Sequence, residues 1–344
     1  MSRNDIVKVD GSINYDYLGE SIDGLSSQMA DIVAMDRRKF KHKFCSALYI
    51  IQSETAQTPM TQSNILTLLQ EHEEQGIDGI ILLVHIEPTL NSQSSGNLEY
   101  IILETLENIK YLADQAIALG LEIRGIKCHQ LYAQQNAGTI DMDNFFIQYK
   151  ALIISLCETF KDYNIPYFTC MNEASNITNN DVYTTQLEDL LTTIKSYGFK
   201  TGFCGQDSVT VALQPYIDGI FFHIYPKITN KEANATFKDG VLGWSSSGAP
   251  ERVRRIRKQY PSLPIIMTET GVQSNWSALA LPEKYIWDNA VWDSTGMPQA
   301  IYMNGLFNVM NDEDFEDVWF LYEIEHIETK KIIHEYIKGE IING

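Results

Sequence analysis

Two glutamates close apolar runs in this chain: Glu173 ends Tyr-Phe-Thr-Cys-Met-Asn-Glu, and Glu269 directly follows Ile-Ile-Met-Thr. Carboxyl groups at the ends of two strands that face each other can flank one bond. Cleavage of a glycosidic bond needs that arrangement: one carboxyl, kept protonated, donates to the leaving oxygen while the other, ionised, attacks the anomeric carbon. A separation of about 5–5.5 Å gives retention of configuration; about 6.5–9.5 Å admits a water and gives inversion. Taken singly, either Glu would equally serve as a helix cap or a loop ion pair. Other polar residues also follow apolar runs: His85 and Glu87, His129 and Gln130, Asn172, Gln206 and Asp207, His223 and Tyr225, and Asn304. The remaining histidines, His42, His72, His326 and His334, lie elsewhere and read as solvated.

The apolar runs that carry these residues fall at 46–51, 79–84, 122–127, 167–170, 200–203, 217–222, 264–268 and 299–303. Amphipathic stretches lie between them, at 62–75, 98–119, 144–163, 181–196, 250–260 and 329–338. Short apolar runs alternating with helical periodicity predict parallel strands joined by helices. Eight such units fit a (β/α)8 TIM barrel, an α/β fold whose chemistry sits at the carboxyl ends of its strands. An open, doubly wound sheet would want a glycine-rich phosphate loop after its first strand, and Gln52-Ser53-Glu54-Thr55 has none. The expected organisation is an N-terminal extension over 1–40 and one catalytic barrel over 41–344. Within the extension, 22–35 has the pattern of an amphipathic helix that would plug the barrel or mediate assembly.

The chain has 344 residues, 44% hydrophobic and 21% charged, a globular balance. With 26 basic against 45 acidic residues its net charge is −19, which repels a phosphate backbone and argues against a nucleic-acid partner. The one basic cluster, Arg252, Arg254, Arg255, Arg257 and Lys258, reads as a solvated helix face. Five dispersed cysteines without a C-x-x-C pair read as free, buried thiols. No window approaches the roughly 18 apolar residues of a membrane span, and residues 1–10 lack the apolar core of a signal peptide. The expectation is a soluble chain with no membrane partner, cytoplasmic or released without a classical signal.

The pattern resembles clan A, the retaining (β/α)8 glycoside hydrolases, which carry Asn-Glu at the end of strand four and Glu at the end of strand seven. Asn172-Glu173 and Glu269 match those positions, and His129 and His223-Ile224-Tyr225 match site residues after strands three and six. The resemblance implies Glu173 as acid/base and Glu269 as nucleophile of a hydrolase acting on a β-linked glycan, with no cofactor and no metal. It also implies that Asn172 binds the sugar 2-hydroxyl, that Tyr225 holds Glu269 and that His129 and His223 line the site; position at a strand end adds His85 and Asn304 to the expected substrate site, and a loop position adds Trp276. Strict strand alternation would point Asn172 and Glu173 to opposite faces, so this reading requires a bulge there. Two clan features are absent: the Arg near the end of strand two, where Val84-His85-Ile86-Glu87 stands, and the Trp ending strand eight, where Tyr302-Met303-Asn304 stands. Phe307 or Trp319 would have to supply that platform, and Trp244, Trp276 and Trp287 fall near loops where sugar faces stack.

Rival chemistries leave weaker traces. A metal-dependent barrel hydrolase would use His85, His129 and His223 but lacks His-x-His after strand one. Neither a chitinase-type D-x-x-D-x-D-x-E nor a G-x-S-x-G elbow is present. A non-catalytic glycan-binding barrel, or a module of a phage or cell-surface assembly, would have no use for two mutually repelling carboxylates.

Overall fold

In this computed structural model, residues 39–48, 50–53, 58–229, 234–282, 292–321 and 327–338 are described. The expected extension, apart from residues 39 and 40, lies outside them, as do Trp287 and His326. Eight parallel strands form the barrel: β1 Lys43–Leu48, β2 Gly79–Pro88, β3 Glu122–His129, β4 Tyr167–Asn172, β5 Lys200–Cys204, β6 Ile220–His223, β7 Ile265–Thr270 and β8 Asp317–Phe320. Each pairs with the next, and β1 pairs with both β2 (Cys45↔Gly79) and β8 (Lys43↔Asp317), which closes the sheet and excludes the open alternative. Because helices cover the outside, strands such as β2, Gly-Ile-Ile-Leu-Leu-Val-His-Ile-Glu-Pro, are buried along almost their whole length and read as continuous apolar runs.

The principal helices are α1 Gln62–Gln75, α2 Leu106–Ala118, α3 Met142–Phe160, α4 Thr184–Ser196, α5 Phe237–Ser246, α6 Ala249–Gln259, α7 Met297–Met310 and α8 Ile327–Ile333. Their ends follow from local chemistry. The Thr61 hydroxyl accepts from Asn64 N at 3.3 Å to start α1, and Gly76 at φ +76° stops it. Thr236 and Asp239 form a reciprocal capping box at the start of α5. Among the described residues no helix is long and apolar enough to cross a membrane, and all five cysteines are free and buried.

Three sequence expectations are corrected. The run 299–303 is not strand eight but the middle of α7, a helix apolar on all sides because it is wedged between the barrel and its neighbours; the eighth strand is Asp317–Phe320. A short buried run does not reveal its own period, although Pro298 after Gly296 marks a helix start. Second, His72 is buried with Ile65 and Leu69 on the inner face of α1; its ring nitrogens contact Leu68 O at 2.7 Å and Ser46 Oγ at 3.0 Å. His42 is likewise engaged, with Phe315 O at 2.7 Å, whereas His334 meets Glu74 O at 2.9 Å in an exposed contact, as expected. Third, the basic face of α6 is paired rather than merely solvated: Arg252 and Arg255 hold Asp207, Arg254 pairs with Glu313 and Arg257 with Asp314.

The barrel interior is filled by rings from alternate strands. Tyr167 (β4) and Phe221 (β6) have ring centroids 5.7 Å apart, and Phe221 and Trp319 (β8) 6.3 Å apart. Trp319 fits because β3 offers Gly125 opposite it; a Cβ there would meet the indole at 2.7 Å.

Candidate active site

The carboxyl ends of the strands bring His85, His129, Asn172, Glu173, His223 and Glu269 to one mouth of the barrel. The backbone device that alternation demands is present. The β4–β5 register shifts between Thr169 and Asn172, and Glu173 adopts φ +51°, a left-handed conformation that is costly for a residue with a Cβ. Glu173 N donates to Cys204 O at 3.0 Å, and Gln134 Nε2 donates to Glu173 O at 2.7 Å, which pins the strained peptide. Gln130 clasps Asn172 on both sides, donating to its carbonyl at 2.8 Å and accepting from its N–H at 3.2 Å. A second register shift lies between Met267 and Glu269 on β7.

The two glutamates end in unlike surroundings. The Glu173 side chain is 51% exposed, whereas that of Glu269 is 7% exposed. Tyr225 donates to Glu269 Oε2 at 2.7 Å, His223 Nδ1 stands 3.2 Å from the same oxygen, and Lys127 Nζ donates to Oε1. Burial opposes ionisation of Glu269, but the charges of His223 and Lys127, with the Lys127 hydrogen bond, outweigh it and hold this carboxyl well below the usual range.

His223 links the pair: its Nδ1 is also 2.9 Å from Glu173 Oε1. Its Nε2 lies 3.2 Å from Cys204 Sγ, and that thiol donates to Thr268 Oγ1 at 3.0 Å. Burial alone would discharge this imidazole, yet the Glu269 charge, Cys204 and the hydrogen bond to Glu173 push it up to about 9. His129 goes the other way, held well below its ordinary value by burial and by Lys127 and His85, so it is a neutral imidazole 3.8 Å from Glu269 Oε1.

The other expected site residues divide. His85 is locked by Glu104, a fully buried carboxylate that accepts from its backbone N–H at 2.8 Å and meets Nδ1 at 2.5 Å; its ring lies 5.1 Å from that of His129. Trp276 lies in the turn Trp276–Leu279 after β7, half-buried, with Nε1 donating to Asp293 at 3.1 Å. Asn304 is not brought to the site: it sits inside α7, where its Oδ1 accepts from Tyr336 at 3.0 Å, because its run is helix rather than strand. Phe307 and Trp244 are buried packing residues on α7 and α5, and Trp319 is barrel core. Glu87 accepts from the backbone N–H groups of Leu131 and Tyr132 at 2.5 and 2.9 Å and so caps a short helix.

Sequence reasoning missed Lys127, Glu104 and Gly205. Lys127 had a signal: two residues before His129 on β3, it shares the face of His129. Gly205, just after β5 at φ +82°, leaves space that a Cβ would take from Glu173 Cγ at 3.0 Å and His223 Cε1 at 3.1 Å.

Glu173, His223 and Glu269 each place one ligand atom within 4.8 Å of the others, a spacing a metal ion could use. Lys127 and a charged His223 already supply the positive charge there, which disfavours a further cation and fits an acid–base cluster. Asn172 Oδ1 is buried without a hydrogen-bond partner, an acceptor aimed at nothing in the protein.

No protein-family model and no curated protein matches the chain. Among solved structures it is similar to the GH113 beta-mannanase AaManA from Alicyclobacillus acidocaldarius, at 14% identity over 88% of this chain and 98% of that one, with a TM-score of 0.58. It is also similar to a GH113 beta-1,4-mannanase (14% identity, 88% and 100% covered, TM-score 0.60). A third match is the cellulose synthase subunit Z from Clostridioides difficile (10% identity, 82% and 92% covered, TM-score 0.51). At these identities the likeness establishes the shared barrel.

Proposed function

We propose that this protein is a retaining β-glycoside hydrolase of the clan A type, with Glu269 as nucleophile and Glu173 as acid/base. The observation that carries the reading is the carboxylate pair: oxygens within 4.8 Å of one another, one buried and held ionised, the other half exposed. Carboxyl oxygens this close suit the about 5–5.5 Å spacing of a retaining pair rather than the about 6.5–9.5 Å of an inverting one. In the first step Glu269 forms a bond to the anomeric carbon as the bond to the leaving oxygen breaks, and Glu173 gives that oxygen its proton. In the second, Glu173 takes a proton from water, which attacks the same carbon and releases the Glu269 carboxylate. Tyr225 fixes the nucleophile through Oε2, and Asn172 Oδ1 accepts from the 2-hydroxyl. The mannanase neighbours make β-1,4-mannan the first substrate to try.

The test is hydrolysis of β-1,4-mannan, other β-glucans and aryl β-glycosides by wild type, Glu173→Ala and Glu269→Ala. Both variants should fold and lose turnover, and azide should rescue Glu269→Ala with inverted configuration at the anomeric carbon. Full activity in either variant overturns the assignment.

A further inference from the structure

We propose that Lys127 is the positioning residue of this site: an ammonium beneath the nucleophile that keeps Glu269 charged and fixed through both displacement steps. The inference rests on the double-displacement reading above.

Lys127 is 0% exposed, lies among the largest fully buried side chains, and spends its donors on Glu269 Oε1 and on Thr268 O at 3.3 Å. A lysine is almost never buried so completely without a partner, since its charge loses its hydration there. Its place is the barrel interior, below the mouth, where it touches the nucleophile and cannot touch a sugar.

The groups facing Glu269 show why this cation differs from its neighbours. From β3 come Lys127 and His129; from β6 and the residues after it, His223 and Tyr225; from the end of β4, Glu173; and His85 on β2 reaches it through His129. His129 is neutral. His223 divides its Nδ1 between both carboxyl groups, so its hold on Glu269 must change whenever Glu173 gains or loses its proton. Lys127 faces Glu269 and not Glu173, which makes it the constant counter-charge. It stabilises the free carboxylate before attack and again when that carboxylate departs in the second step.

The experiment compares wild type, Lys127→Met and Lys127→Arg. Turnover is read on 2,4-dinitrophenyl β-mannoside and β-1,4-mannan across pH, and the Glu269 carboxyl is titrated by carbon NMR, assigned with Glu269→Gln. Lys127→Met should lower kcat about 100-fold, the scale of losing one preorganised donor, with KM nearly unchanged. Its acid limb and the Glu269 titration should both move up by about one pH unit or more. Lys127→Arg should restore the acid limb and the titration in part. A packing role would instead lower stability and leave the titration where it was. If Lys127→Met retains the wild-type profile and titration, the proposal is wrong. If it does not fold, the Lys127 ammonium resonance in wild type and Glu269→Gln decides: an unchanged signal overturns the pairing. A wild type that cleaves neither substrate, with Glu269 still titrating according to residue 127, would overturn the hydrolase reading and leave the pair standing.

Discussion

His223 Nδ1 stands 3.2 Å from Glu269 Oε2, and the two residues are register partners on adjacent strands, so the imidazole and the carboxylate are fixed by the sheet itself. His223 is pushed up to about 9 from an ordinary 6.5, against the opposing effect of burial, chiefly by the Glu269 charge. A folded-state value above the unfolded one contributes stability that is whole below about 6.5 and is lost as pH rises through about 9. Urea midpoints should therefore fall between those values, and activity should show an alkaline limb near the upper one. In His223→Gln the alkaline loss of stability should flatten; an unchanged slope would remove His223 as its source.

Gly205→Ala tests how little room the site leaves. The substitution forces a Cβ into φ +82° and brings it to 3.0 Å from Glu173 Cγ and 3.1 Å from His223 Cε1. The conformational cost is about 1 kcal/mol. Displacing Glu173, the proposed acid/base, should lower kcat/KM about 10- to 100-fold, far more than so small a loss of stability explains. Near-wild-type kcat/KM would show that Glu173 tolerates displacement.

The barrel was legible because parallel strands covered on both faces spell apolar runs, and the first polar residues after those runs are the ones a barrel mouth exposes. Glu173, Glu269, His129, His223 and Tyr225 could be placed on that basis alone. The bulge that turns Glu173 inward was legible only as a requirement, since nothing in Met-Asn-Glu announces φ +51°. Helix α7 was misread because burial on every side erases the polar stripe that gives a helix its period, and Asn304 was misplaced with it. Glu104 was hidden for a different reason: its partner His85 is brought to it by tertiary folding, which local pattern does not encode.

His72 carries an acid sensitivity distant from the site. Burial lowers it from 6.5 to about 4, against the hydrogen bond to Leu68 O, so the folded state holds a neutral ring. As pH falls below about 6.5 the unfolded chain takes up the proton first, and stability drops until about pH 4. The full loss amounts to about 3 kcal/mol. Chemical denaturation across that range should show it in wild type and not in His72→Leu, whose stability at neutral pH falls because Ser46 Oγ loses a partner. Parallel pH slopes in the two proteins would sink the prediction.

Asn172 offers the sharpest test of substrate orientation. Its backbone is clasped by Gln130 through both its N–H and its carbonyl, so the side chain stands on a rigid base, while Oδ1 is buried with no partner. An unpaired buried acceptor costs about 1–3 kcal/mol, a penalty that a sugar hydroxyl donating to it would relieve. If that donor is the 2-hydroxyl, Asn172→Ala should lower kcat about 100-fold on an ordinary aryl β-glycoside, because the contact strengthens as the transition state forms. On the matching 2-deoxy glycoside the hydroxyl is already missing, so wild type and variant should turn over at similar rates. The two losses must then fail to add, as expected when both changes delete one interaction. Additive losses would place the 2-hydroxyl elsewhere, and the Asn172 assignment would fall while leaving the two glutamates untouched.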